Sequence, residues 1–394
     1  MSKPIFATLL ILGILMLSGC WSSKEIEERS VFVGIAVDLA KETKAETRLE
    51  EQGGITAVQP LITATIQFVP LKSVSGPQQD EDNGMKKYLN VSETGDSVFE
   101  IIRQYSARRD RAVIGHHLKV FIISQALAEQ IEVGKVLDFM LRDNDIRPSC
   151  FVFLSRSDAD EALNSSQPDE IPSFSLRDMV RNKFRNNQIM NEVTFTNIDQ
   201  YLYSRQSFIL QNIAAYDGES EFAGAGIIKG STGKWIGNLS QDEVGSISWI
   251  QGNSSGGLLK SKNDRNETII YEIKTSKSKI TPKVEGEHIT FHVDISSEGR
   301  LTENWDREID ASSIVFLKEA EDIFEETLEN MLQGLIQKLQ NEFQVDVAGF
   351  GRRLSITHPK VWKKVKEDWD EVFSRSTVDF TVKLKITDYG SSKE

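Results

Sequence analysis

Cysteine is nearly missing from this chain. Its 394 residues include two, Cys20 and Cys150. The first is predicted below to be consumed by lipid, which leaves Cys150 without a partner and excludes a disulfide staple. Cys150 sits in a strand-like apolar run over 149–154 and reads as a small buried hydrophobe, not a reactive thiol. Positive charge is also short: 46 Lys and Arg face 59 Asp and Glu, a net charge of −13. An acidic body of that kind is not built to hold nucleic acid, or to adhere to anionic lipid by charge. Long apolar runs are lacking after residue 17, so no later segment reaches the roughly 20 apolar residues that span a bilayer.

Histidine is scarce as well, and none of the five is placed for chemistry. His116 and His117 are adjacent, so on a strand they point to opposite faces and cannot chelate together. His288 and His292 share a strand face but lie too far apart for one ion, and His358 precedes Pro359 at a helix start. No serine stands in a G-x-S-x-G elbow, and no Cys–His pair suggests a nucleophile. Gly224-Ala225-Gly226 and Gly349-Phe350-Gly351 lack the longer spacing and the Lys-Ser/Thr of phosphate loops and read as turns or close backbone approaches. The Lys-rich stretch 360–366 around Trp362 reads as a core-packed helix with a basic outer face, and the acidic residues between 319 and 329 as a solvated helix face. The sequence therefore predicts no catalytic residue, no metal site and no cofactor.

What is present begins at the N-terminus. Lys3 precedes an uninterrupted apolar stretch, residues 5–17, which is the size of a secretory h-region. Leu17-Ser18-Gly19-Cys20 then forms a lipobox. The expectation is cleavage between Gly19 and Cys20, a diacylglyceryl group on the Cys20 sulfur and acylation of its new amine. Each buried lipid CH₂ is worth about 0.8 kcal/mol, and one chain anchors only marginally, whereas two or three on one residue hold permanently.

Beyond a polar tether at 20–30, strands are predicted over 31–37 and 61–69, with a loop over 72–88. Residues 96–163 alternate helix and strand, an α/β segment, and 164–172 read as a linker before short helices over 174–185 and 198–203. From Ser207 to Ile295 the pattern is mostly β and predicts an antiparallel meander, including a strand at 247–250. Apolar residues then recur three and four apart from Ile314 to Phe343, one long amphipathic helix. A further helix starts at Pro359, and a strand over 378–386 buries its even-numbered side chains.

Four blocks, in order, resemble one family. They are Gly19-Cys20-Trp21 with 33–38; Gly115-His116-His117-Leu118-Lys119-Val120 with 137–148; Ala223-Gly224-Ala225-Gly226 with Gly237 and Leu239; and Asp346-Val347-Ala348-Gly349-Phe350-Gly351 with His358-Pro359 and Trp369. Together they resemble the Ger(x)C spore germination lipoproteins, the C subunits of nutrient germinant receptors. Ser22-Ser23 departs from the pattern, where an Asp and a basic residue are expected. The resemblance implies an elongated α+β fold of three small domains, with mixed or antiparallel sheets packed by helices. On that basis residues 1–19 are a cleaved signal, 20–204 an N-terminal domain and 205–394 a C-terminal domain. It also implies a non-catalytic subunit, lipid-anchored on the outer face of the inner spore membrane. Its partners would be a multi-pass A subunit and a transporter-like B subunit, with no germinant bound by this chain itself. The competing reading, a solute-binding lipoprotein that feeds a transporter, predicts two lobes of repeated βα units, which the β-rich middle of the chain does not match.

Overall fold

The computed structural model describes residues 29–41, 44–53, 61–69, 86–108 and 112–390. The lipobox, the tether up to residue 28 and most of the loop expected over 72–88 lie outside them. Two sheets organise the rest. The first has nine strands: β1 (Arg29–Leu39), β2 (Ile62–Val69), β3 (Leu89–Gly95), β4 (Ala112–Ile114), β5 (Val120–Ser124), β6 (Phe151–Ser155), β7 (Phe208–Tyr216), β8 (Glu219–Lys229) and β9 (Lys234–Leu239). Their order is β3-β2-β1-β5-β6-β7-β8-β9, with β4 beside the start of β1. The centre, β1-β5-β6-β7, is parallel, and antiparallel pairs flank it on both sides.

A parallel centre must be covered on both faces, so its strands send apolar side chains to both. In β5, Phe121 and Ile123 enter one core while Val120 and Ile122 enter another. The first core is closed by α2 (Val98–Arg108), α4 (Val133–Arg142) and α6 (Phe195–Ser204), through Ile101, Tyr105, Leu137, Met140, Phe195 and Ile198. The second is closed by a 3-10 turn at Ala159–Leu163 and by α5 (Pro172–Met179). Asp38, at the C-terminal end of β1, fixes that turn: its carboxylate accepts from the N–H of Ala159 (2.7 Å) and of Asp160 (3.2 Å). Helix α1 (Lys44–Glu51) follows β1, and α3 (Gln125–Gln130) follows β5, capped by Ser124 Oγ.

The second sheet is β10 (Leu258–Lys262), β11 (Thr268–Glu285), β12 (His288–Asn304) and β13 (Thr377–Asp388), in that order. Its inner face packs on α8 (Ile314–Gln337), whose buried Phe316, Ala320, Phe324, Leu328 and Leu332 recur one turn apart. A π turn, Lys338–Phe343, extends α8, so the long amphipathic helix expected over 314–343 is present. The alternation read in the last strand holds: Phe380, Val382, Leu384 and Ile386 are buried. The molecule is thus α+β, with mixed sheets packed by helices.

Three readings of the sequence need correction. Residues 247–250 are not a strand but part of α7 (Gln241–Gln251). Seven consecutive residues, Val244–Ile250, are buried there, so the helix shows no polar face to give it a period. The region 208–295 is not one meander. Strands β7–β9 complete the first sheet, α7 intervenes, and β10–β12 found the second. Nor is the acidic face of α8 wholly solvated. Strand β13 ends its sheet, and its outward N–H groups at Leu384 and Ile386 donate to Glu325 Oε1 and Glu321 Oε1, both at 2.8 Å. Two carboxylates of the helix therefore seal an edge that could otherwise recruit another chain.

Candidate functional site

Gly19 and Cys20, the residues the sequence singles out, lie outside the described residues, whose first member, Arg29, opens β1. Cys150 is fully buried, and burial pushes its thiol well above the usual range, as suits a packing residue. His116 and His117 occupy a turn. His116 Nε2 lies 3.6 Å from Asp145 Oδ1, and burial lowers the pKa of His117. His288 and His292 are exposed on β12, and His292 meets Thr381 Oγ1 at 3.2 Å. His358 joins α9 (Phe350–Thr357) to α10 (Pro359–Val365). No group of three or more His, Cys, Asp or Glu among the described residues is placed to hold a metal ion.

An open cleft of about 1280 Å³ lies where the two sheets' assemblies meet. One wall comes from α6, the connection into β7, and the end of β8. The other comes from α9 and α10, the segment 344–349, and α11 (Trp369–Ser374). Its floor is a hydrogen-bonded knot around Asp346. Asp346 Oδ1 accepts from the N–H of Ala348 (3.1 Å), Gly349 (2.9 Å) and Phe350 (3.2 Å). Asp346 Oδ2 accepts from Gly351 N–H (2.6 Å) and from Trp369 Nε1 (2.9 Å). One carboxylate so satisfies four N–H groups at the start of α9, together with an indole that packs on Phe291 and Phe373. The glycines are needed for the approach: Gly349 has φ +99°, and a Cβ on Gly351 would overlap the Trp369 indole nitrogen.

The knot also joins the two assemblies. Asp370 Oδ1 accepts from Asp346 N–H (3.1 Å), and Asp370 Oδ2 from Ser207 Oγ (2.6 Å) at the head of β7. Ser207 Oγ in turn accepts from Gly230 N–H (2.9 Å), just past β8. Burial holds the Asp370 pKa above the ordinary carboxylate value. A second tie is Lys338, which donates to Glu243 Oε1 (2.9 Å) on α7. Ser207 Oγ is held between the Gly230 N–H and the Asp370 carboxylate, so the knot fixes one wall of the cleft to the other. Sequence reasoning missed the roles of Asp346, Asp370 and Ser207. The available signal was a helix-capping Asp leading into a Gly-containing segment, but its partner Trp369, and the Ser207 that bonds Asp370, are remote in sequence.

Comparison with known proteins bears on the whole chain. A family model described as "Spore germination protein N-terminal domain" matches residues 22–215, and one described as "Spore germination B3/ GerAC like, C-terminal" matches 223–390. Spore germination protein YndF of Bacillus subtilis (strain 168) is 37% identical over 398 residues, covering 99% of this chain and 98% of its own. Spore germination protein B3 of the same organism is 30% identical, covering 96% of each. A solved structure titled "Crystal Structure of the GerBC protein" superposes with a TM-score of 0.61 at 26% identity, over 89% of this chain and 97% of that one. With both halves matched in order and a 37% identical relative aligned end to end, the chain belongs to the Ger(x)C family of spore germination proteins.

Proposed function

We propose that this protein is the lipid-anchored, non-catalytic C subunit of a nutrient germinant receptor. It is held by acyl chains on Cys20 to the outer face of the inner spore membrane, beside the A and B membrane subunits. The observation that carries this reading is the near full-length likeness to spore germination proteins in a chain that also carries the lipobox Leu17-Ser18-Gly19-Cys20. Two physical points support it. No helix among the described residues is long and apolar enough to cross a membrane, so on this reading attachment falls to the lipid. The cleft between the two assemblies is floored by capped backbone and a buried carboxylate knot, which suits a docking module better than a catalyst. The solute-binding alternative lacks its two repeated lobes, since strands from 29–239 build a single sheet.

The test is Cys20→Ala in the producing strain. The variant should move from the membrane to the soluble fraction, and the nutrient response through this receptor should weaken. A variant that stays in the membrane fraction with an unmodified N-terminal peptide by mass spectrometry would overturn the anchor. Calorimetric titration of the protein with amino acids and sugars separates the alternative, because tight binding by this chain alone would favour a solute-binding lipoprotein.

A further inference from the structure

The net charge of −13 averages over the surface and hides one segment of the opposite sign. Between Asp346 and Glu367 the chain holds no carboxylate, yet it holds six cations: Arg352, Arg353, Lys360, Lys363, Lys364 and Lys366. They lie on α9, on α10 and just past it. Arg353 donates to the Ile280 carbonyl, and Lys366 pairs with Glu367. Arg352, Lys360, Lys363 and Lys364 are exposed and have no side-chain hydrogen bond or ion pair among the described residues. Of the carboxylates that follow, Asp370 is bound in the knot and Glu371 pairs with Arg375. That leaves one, Asp368, exposed and unpaired among the described residues, against four free cations.

Helix α10 has two unlike faces. Val361, Trp362 and Val365 pack on the core of the second assembly, with the Trp362 ring 5.3 Å from that of Trp369. Lys363 and Lys364 follow Lys360 by three and four residues, so the three share the exposed face. Ile356, 64% exposed, stands near the end of α9 just before them. Uncommitted lysines beside an exposed apolar side chain are the composition of a contact with an anionic lipid surface.

The point where the chain enters the fold selects the same ligand. Strand register runs from β1 through β5 and β6 to β7 and puts Ser207 three strands from β1, level with Phe32. Arg29 is then roughly 17 Å from Ser207, which bonds Asp370 on α11, one short turn past α10. Nine residue steps separate Cys20 from Arg29, so the anchor lies no farther than about 32 Å from the start of β1. An acylated Cys20 thus keeps this end of the molecule within reach of the bilayer.

We propose that the outer face of α10, with Lys360, Lys363 and Lys364, lies on the bilayer beside Arg352 and Ile356 of α9 and binds the phosphate groups of anionic phospholipids. The inference rests on the lipid-anchored reading for its geometry. Acyl chains hold the molecule, and the lysines fix which face it turns to the membrane. So few cations on an acidic body bind weakly when free in solution, but a short tether raises their effective concentration at the surface.

The experiment uses the full acylated chain with Ile356→Cys carrying a bimane label; Cys150 is fully buried, so the label is confined to residue 356. The protein is reconstituted in vesicles of phosphatidylcholine alone, or of phosphatidylcholine with phosphatidylglycerol, each with a headgroup spin-labelled lipid as quencher. Quenching should be at least about threefold greater on the anionic vesicles and fall to the neutral level at high salt. Lys360→Glu, Lys363→Glu and Lys364→Glu together should abolish the difference. Lys277→Glu, Lys383→Glu and Lys385→Glu, an equal charge change on exposed lysines of the second sheet, should leave it. Equal quenching on the two vesicle types, insensitivity to salt, or equal losses in both triple variants would each overturn the proposal. So would a label left unquenched on anionic vesicles but shielded from aqueous iodide in native membranes, which would mark a partner protein on this face. Flotation with the neutral vesicles and the mass of the N-terminal peptide report the anchor separately. An unmodified Cys20 would overturn the anchor reading, whereas a floating, acylated protein without the quenching difference overturns the docking face alone.

Discussion

Replacing Asp346 should be among the most damaging single changes outside the apolar cores, and the structure sets its size. Its carboxylate accepts five hydrogen bonds, four of which, from Ala348, Phe350, Gly351 and Trp369, are buried. In Asp346→Ala those four donors lose their partner. At a lower bound of about 1 kcal/mol per buried orphaned donor, the cost is about 4 kcal/mol. Asp346→Asn keeps the shape and one oxygen. With that oxygen turned to Ala348, Gly349 and Phe350, the new NH₂ faces two donors, Gly351 N–H and Trp369 Nε1, and the cost is about 3 kcal/mol from two lost charge-assisted bonds. Urea unfolding followed by tryptophan fluorescence measures both. Trp369→Phe removes one of the orphaned donors, so Asp346→Asn combined with Trp369→Phe should cost less than the sum of the two singles, by about 1 kcal/mol. Asp368→Asn, at an exposed position near the knot, should change the midpoint little. If Asp346→Asn costs under about 1 kcal/mol, or if the double variant is strictly additive, the knot does not hold α9 in the way described.

Two further outcomes follow from other carboxylates. Burial raises the Asp38 pKa from 3.8 to about 6. The folded state therefore binds a proton more readily than the unfolded one, and stability is lost as pH rises from about 4 to about 6, by about 3 kcal/mol. Unfolding free energies at both ends of that window should show this slope in the native protein and a flatter one in Asp38→Asn; identical slopes would refute the assignment. On β13, Glu321→Ala with Glu325→Ala frees two edge N–H groups, at Ile386 and Leu384. The variant should lose about 3 kcal/mol of stability and self-associate with rising concentration in light scattering, while a monodisperse variant of native stability would count against the edge seal.

Where local pattern and tertiary demand agree, the sequence is a good guide. The stripe from Ile314 to Phe343 and the alternation of 378–386 are each complete within one element, because each buries a single face. Helix α7 fails that test: it is buried all round, and its apolar run mimics a strand. Its ends were nonetheless written in the chain. Ser240 and Glu243 form a reciprocal capping box, at 2.6 and 3.2 Å, and Gly252 closes the helix at φ +71°. The glycines at 224, 226, 349 and 351 were rightly read as turns or close approaches, although the atoms they approach could not be named from the sequence.

The sequence by itself determined the expected anchor at Cys20, the acidic and disulfide-free character of the body, and the family. All three depend on residue types or short strings of residues that keep their meaning without a fold. Only the tertiary structure decided that β7–β9 complete the first sheet, that α8 seals the edge of β13, and that Asp346, Asp370 and Ser207 meet. The physical reason is separation along the chain. Ser207 and Asp370 are 163 residues apart, and a bond across that distance is selected by the packing of both sheets, which no local propensity encodes.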